Sequence, residues 1–336
     1  MLTGPWLLFA LFVTIGLIVW LSSRAKVHPF MALLLATMGL GLAVGLPGPD
    51  ILKAVQDGFG SLMGYIGLIV VLGSIIGVIL ERSGGALRIA MALLSVFGKG
   101  RPALAMSLIG GVVGIPVFCD SGFIILSRLN QVLAERTGKP PASLALGLAA
   151  GLYTTHTLVP PTPGPIAAAG NLGATDYLGT IILLGLAFAI PTALVAWGFA
   201  RWQGGRLQPS LPELPPAADL PALPPLSLAL GPILLPVLLI ALASLSRLLD
   251  WEGNGAAVLA FVGSPLIALL LGTLLAGALL PRWDEAHLSG WIGDGIRQAG
   301  PILVLTGAGG AFGSLLKATP LADYVAGWAG EGQLAG

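Results

Sequence analysis

Charged side chains are scarce in this sequence. Asp, Glu, Lys and Arg make up 9% of its 336 residues, against about 25% in a soluble domain. That scarcity excludes an ordinary soluble chain and points to an integral membrane protein with short loops. A net charge of +1 leaves no basic footprint for nucleic acid. The one cysteine, Cys119, excludes an intrachain disulfide and leaves the redox compartment unread. With no base evident beside it, it reads as a small packing residue and not as a nucleophile. Aspartates and glutamates are too scattered for a metal cage, so neither metal nor cofactor is expected.

What the chain has in abundance is apolar residues (56%), 49 glycines and 26 prolines, with a mean hydropathy of +0.93. Apolar runs lie at 5–21, 29–46, 62–80, 103–118, 123–133, 142–158, 177–200, 228–246, 256–280 and 300–316. Several approach the roughly 20 residues that span a hydrocarbon core. The runs at 103–118, 123–133 and 142–158 are shorter, interrupted by Gly, Pro, Asp and His, and fit re-entrant or discontinuous helices. The first run is no signal peptide, because Arg24 and Lys26 follow its apolar core. Lysine and arginine placement orients the chain. Arg24 and Lys26, then Arg82, Arg88, Lys99 and Arg101, then Arg201 and Arg206, fall on the cytoplasmic side. The N-terminus is then outside and 81–101 is a cytoplasmic loop. Residues 204–225, with seven prolines, read as a stiff linker.

Beyond that linker the sequence repeats. Across 28–42 and 264–278, seven of fifteen positions are identical at an offset of 236. The same offset pairs Gly64, Ile66, Gly73, Gly77 and Leu80 with Gly300, Ile302, Gly309, Gly313 and Leu316. One half starts outside and the other inside, so an inverted-topology repeat is expected, with a substrate site near the midplane. The expected organisation is a first repeat at 1–203, whose broken-helix region is 103–175, the linker at 204–225, and a second repeat from 226 to 336. That second repeat is incomplete, lacking about 100 residues that would mirror 101–200. The fold class is an all-α polytopic membrane protein with discontinuous or re-entrant helices.

Two breaks carry the chemistry. In the first, Pro116 strains a helix, Asp120 or Ser121 can cap a new one, and Gly122 allows close backbone approach. A helix starting there directs free N–H groups and a positive dipole end at the break, which suits a carboxylate. Asp120 is either an N-cap facing protein or a group that carries a proton or orients substrate. In the second break, Pro160, Pro161, Pro163 and Pro165 stop the preceding helix, and Thr162 or Gly164 can cap the next. Thr154, Thr155, Thr157 and Thr162 add hydroxyls. His156 lies within a spanning run, unlike His28 and His287, and can carry a proton near neutral pH. Its alternative is a packing role. Asn171 is a candidate cavity donor. Arg128 either balances substrate charge or snorkels to an interface. Gly73 with Gly77, and Gly147 with Gly151, mark close helix packing.

These residues carry a family resemblance. Ile115-Pro116-Val117-Phe118-Cys119-Asp120-Ser121-Gly122-Phe123 and His156-Thr157-Leu158-Val159-Pro160-Pro161-Thr162-Pro163-Gly164-Pro165 resemble signature regions of the gluconate permease (GntP) family. Gly73-Ser74-Ile75-Ile76-Gly77 with Glu81-Arg82-Ser83-Gly84-Gly85-Ala86 is similar to that family's third-span ending. The resemblance implies a multi-pass bacterial inner-membrane symporter that takes up gluconate or a related sugar acid with protons. It also implies a homodimer with a scaffold domain and a moving transport domain. The expected ligands are a small organic-acid anion and protons, with Asp120 and His156 as the proton-coupling candidates. A sodium-coupled dicarboxylate or citrate-type carrier would share the architecture. A passive channel is a weaker fit to proline-broken helices at a repeat seam. An intramembrane enzyme would need a nucleophile with a base or a ligand cluster, and no such spacing surrounds His156.

Overall fold

A computed structural model describes residues 4–98, 101–174, 177–207, 223–321 and 324, apart from the side chains of Arg128 and Arg136. Among the described residues the chain is helical and has no strand. The helices are α1 (Pro5–Ser23), α2 (Pro29–Val44), α3 (Gly48–Arg82), α4 (Gly85–Phe97), α5 (Pro102–Val113), α6 (Cys119–Thr137) and α7 (Pro141–Leu158). They continue with α8 (Pro163–Asn171), α9 (Leu178–Gly204), α10 (Leu226–Leu248), α11 (Asn254–Val262), α12 (Pro265–Ala276) and α13 (Glu285–Lys317). Proline opens α1, α2, α5, α7, α8 and α12, where its missing N–H would have had no intrahelical acceptor. By length and composition, six helical segments among the described residues can cross a membrane, α7 and α8 counting as one. The pair α11 and α12, bent by 64°, makes a seventh. The protein is a polytopic membrane protein.

Three expectations need correction. The third span does not begin at residue 62, because α3 starts at Gly48. Its first turns are amphipathic: Ile51, Ala54 and Gly58 are buried while Asp50, Lys53 and Asp57 are exposed, so hydropathy alone missed them. The segment 81–101 is not a plain loop. It contains the 13-residue helix α4, which buries Ala86, Ile89 and Ala90. The run 256–280 is not one straight span, because Pro265 has no N–H and disfavours helical backbone at Ser264. The linker expectation at 204–225 falls largely on 208–222, outside the described residues, as does Lys99.

The chain divides into two compact units, residues 1–67 with 300–336, and residues 68–299. In the first, Leu7, Leu40, Val44, Leu46, Ile51, Ala54 and Leu315 form a buried core. Gly58 and Gly310 face one another there; a Cβ on either would stand 2.5 or 2.6 Å from the other's carbonyl oxygen. In the second unit, α5 and α7 pack at close range. A Cβ on Gly147 would stand 2.7 Å from the Ala103 carbonyl oxygen, and Gly151 lies against Ser107. Pro29 and Pro265, 236 positions apart, each open a helix, and the bounds of α3 and α13 match that offset to within one residue.

Candidate functional site

The site is built from two interruptions in helices of the second unit. α5 stops at Val113, and α6 begins only at Cys119. Pro116 lies between them. The N-cap of α6 is Phe118, in extended backbone and with no side-chain cap bond. Asp120 and Ser121 are therefore not the cap: they lie inside the first turn. Asp120 still sits where the helix dipole favours a negative charge. Its carboxylate is exposed and accepts a 3.5 Å hydrogen bond from the Tyr153 hydroxyl.

The second interruption separates α7 from α8. Val159 leaves the helix in extended backbone, and the Pro160–Pro161 peptide is cis. Thr162 is the N-cap of α8 by position, but its hydroxyl donates backwards to the Val159 carbonyl at 2.7 Å. That bond spans the break and leaves the α8 N-terminus without a side-chain cap. The break is held from behind by a core of Val159, Ile182, Ile240 and Ala268, with Leu158, Leu186 and Val237 packed on it. Neither helix start carries a side-chain cap. α6 offers first-turn N–H groups of the kind that receive anions, whereas in α8 Pro163 and Pro165 have no N–H and Gly164 is the one donor among its first three residues.

The two breaks meet. One cleft is lined by Pro116, Val117 and Phe118 from the first, by His156, Pro161, Thr162 and Pro163 from the second, and by Val70, Gly73 and Ser74 of α3. The rings of Phe118 and His156 are edge to face, with centroids 5.8 Å apart. His156 Nδ1 is buried and has no hydrogen-bond partner among the described residues. The cavity is only about 10 Å3, roughly the room one water needs. This conformation is closed around the breaks.

The remaining candidates are dispersed. Thr155 is buried, its hydroxyl donating to the Leu152 carbonyl at 3.5 Å, and Thr154 and Thr157 likewise donate to their own helix. Gly122 packs against Leu152. Gly164 is exposed, with nothing within 4 Å of where a Cβ would stand, and Asn171 is exposed at the end of α8. Pro165 is buried, and Pro160 lines a separate apolar cavity with Pro161. The side chain of Arg128 is outside the described set. Phe118 and Ser74 went unnoticed as site residues in the sequence. The signal for Ser74 was its place between Gly73 and Gly77, read only as packing. Among the described residues no group of three His, Cys, Asp or Glu side chains is placed to hold a metal.

Residues 6–335 match the sequence profile of the GntP family permeases. The chain belongs to the GntP permease family. Among its relatives, a gluconate permease of Pseudomonas aeruginosa is 37% identical over 332 residues, covering 95% of this chain and 72% of that one. The inner membrane permease YgbN of Escherichia coli is 33% identical over 311 residues, covering 87% and 68%. The D-serine transporter DsdX of Escherichia coli is 32% identical over 336 residues, covering 96% and 74%. Within this GntP permease, the breaks at 114–118 and 159–162 and the α3 face of Gly73 and Ser74 form one structural unit.

Proposed function

We propose that this permease imports gluconate or a related hydroxylated monocarboxylate together with protons, binding it where the two helix breaks meet. The observation that carries the reading is one cleft lined by residues of both helix breaks and by His156, whose Nδ1 is buried without a hydrogen-bond partner among the described residues. Helix N-termini suit a carboxylate. The His156 ring nitrogen and backbone carbonyls suit hydroxyls. The names of the relatives point the same way, since gluconate and D-serine are both small hydroxylated acids.

In this reading His156 or Asp120 takes the coupled proton. A charged aspartate at mid-membrane costs about 2.5–3.5 kcal/mol on insertion scales, so a proton on Asp120 during the crossing removes that penalty. Ser121, Gly122, Thr155, Thr162, Gly164 and Asn171 complete the proposed binding set; those now outside the cleft would reach substrate only after it opens. Opening requires the α3 face bearing Gly73 and Ser74 to part from the breaks. The halves 1–203 and 226–336 act as inverted repeats within a homodimer in the bacterial inner membrane, N-terminus outside. The matching bounds of α3 and α13 and the lysine and arginine placement support this.

The test is uptake of labelled gluconate into proteoliposomes under an imposed pH gradient, comparing wild type, Asp120→Asn and His156→Ala. Gradient-driven uptake that disappears in one variant identifies the proton-coupling group. Uptake that responds only to sodium, or none with any sugar acid, overturns the proposal.

A further inference from the structure

Away from the breaks, a second cavity of about 270 Å3 lies in the same unit where α5 begins, α6 gives way to α7, and α9 ends. Arg101, Lys139 and Arg201 all line it. None of the three has an ion-pair partner among the described residues. Three exposed cations around one hollow repel each other, and an anion seated among them would relieve that repulsion.

Other features point to the missing partner. Ser143 lines the cavity, is only 7% exposed, and its hydroxyl has no hydrogen-bond partner among the described residues. The first turns of α5 and α7 open on Pro102 and Pro141, and neither Arg101 nor Pro140 provides a side-chain cap. The starts of α5 and α7 bring two positive helix ends to the cavity, and the ends of α6 and α9 bring two negative ones, so the net positive charge rests on the three side chains. Trp197, half-buried, completes the wall, and tryptophan is the residue type enriched at headgroup depth.

We infer that this cavity is an anion site that binds a phosphate group, with Arg101, Lys139 and Arg201 as charge partners and Ser143 as a hydroxyl donor. The phosphate can come from an anionic phospholipid headgroup or from soluble phosphate. Basic pockets between spans on the cytoplasmic side recognise headgroups, and the lysine and arginine placement assigns these helix ends to that side. The site is independent of the cleft that holds His156.

The experiment uses the whole chain purified in neutral detergent. Native mass spectrometry counts bound lipid, and thermal melting reads stabilisation, with phosphatidylglycerol, phosphatidylcholine or inorganic phosphate added. The variants are Arg101→Gln, Lys139→Gln and Arg201→Gln, singly and together, with Arg24→Gln/Lys26→Gln as a control for general surface charge. Preference for phosphatidylglycerol over phosphatidylcholine should fall on the order of fivefold per cation removed and persist in the control. Stabilisation by inorganic phosphate with no lipid preference, lost in the same variants, also supports the site and assigns it to a soluble anion. Equal response to all additives, or an unchanged preference in the triple variant, overturns it. Should the triple variant fail to fold, an unchanged preference in exposed Lys139→Gln overturns it equally.

Discussion

Gly77 of α3 lies against the carbonyl of Pro116, so close that a Cβ on Gly77 would stand 2.5 Å from the Pro116 oxygen. One turn earlier, Gly73 faces Pro161, whose ring Cγ would stand 3.6 Å from a Cβ on Gly73. One glycine seals the first break and the other overlooks the second.

The two positions should respond differently to alanine. At Gly77 the added methyl meets rigid backbone, an overpacking that costs about 1–3 kcal/mol against at most about 1 kcal/mol gained in helix propensity. Gly77→Ala should melt lower in detergent and transport poorly. Gly73→Ala meets only ordinary contact, so its melting temperature should hold or rise. Equal behaviour of the two variants would show that α3 does not press on Pro116.

Gly164→Ala separates folding from transport. A Cβ there meets nothing within 4 Å, so stability should stay within about 0.5 kcal/mol of wild type. A rise in the gluconate KM without a change in melting would place substrate against the first turn of α8. A large loss of stability would contradict the open space seen there.

Asp294 of α13 pairs with both Arg82 and Arg297, the latter at 2.5 Å, and its side chain is 19% exposed. Arg82 and Arg297 are 44% and 78% exposed, so solvent screens the network. A double-mutant cycle between Arg82→Ala and Asp294→Ala should give a coupling of about 1 kcal/mol or less, shrinking further in high salt. A coupling of several kcal/mol would mean that the pair is more enclosed than the exposures indicate.

Asp284 precedes α13. Its carboxylate accepts hydrogen bonds from the His287 ring at 2.6 Å and the His287 backbone N–H at 2.9 Å. These bonds, the ring's first, lower its pKa from the ordinary aspartate value. The resulting stability is fully present above the unfolded value of about 4 and disappears as pH falls through the lowered one. Asp284→Asn should therefore melt below wild type at neutral pH, with the gap closing in acid. A gap that stays constant down to low pH would remove the carboxylate as its cause.

The breaks were legible because their causes are local. Pro116 and the prolines from Pro160 to Pro165 disrupt helical hydrogen bonding wherever they stand. The spans were legible because about twenty apolar residues have one comfortable environment. Legibility ended where the answer depended on partners. The first turns of α3 hid behind Asp50, Lys53 and Asp57, because a helix exposed on one face loses its hydropathy signal while keeping its periodicity. Cap assignment failed at Asp120 because a capping side chain is only one way to start a helix, and the chain starts α6 at Phe118 without one.

Sequence alone thus determined a membrane protein with two proline-broken helices, a histidine beside one break and an aspartate beside the other. Tertiary structure decided that His156 turns into the shared cleft beside Phe118 while Asp120 stays outside with Tyr153. It also decided that Gly73 and Gly77 cover the breaks and that Arg101, Lys139 and Arg201 share one cavity. Proline and hydropathy act within a few residues of chain. Which faces meet depends on helix rotation and close packing between segments tens of residues apart.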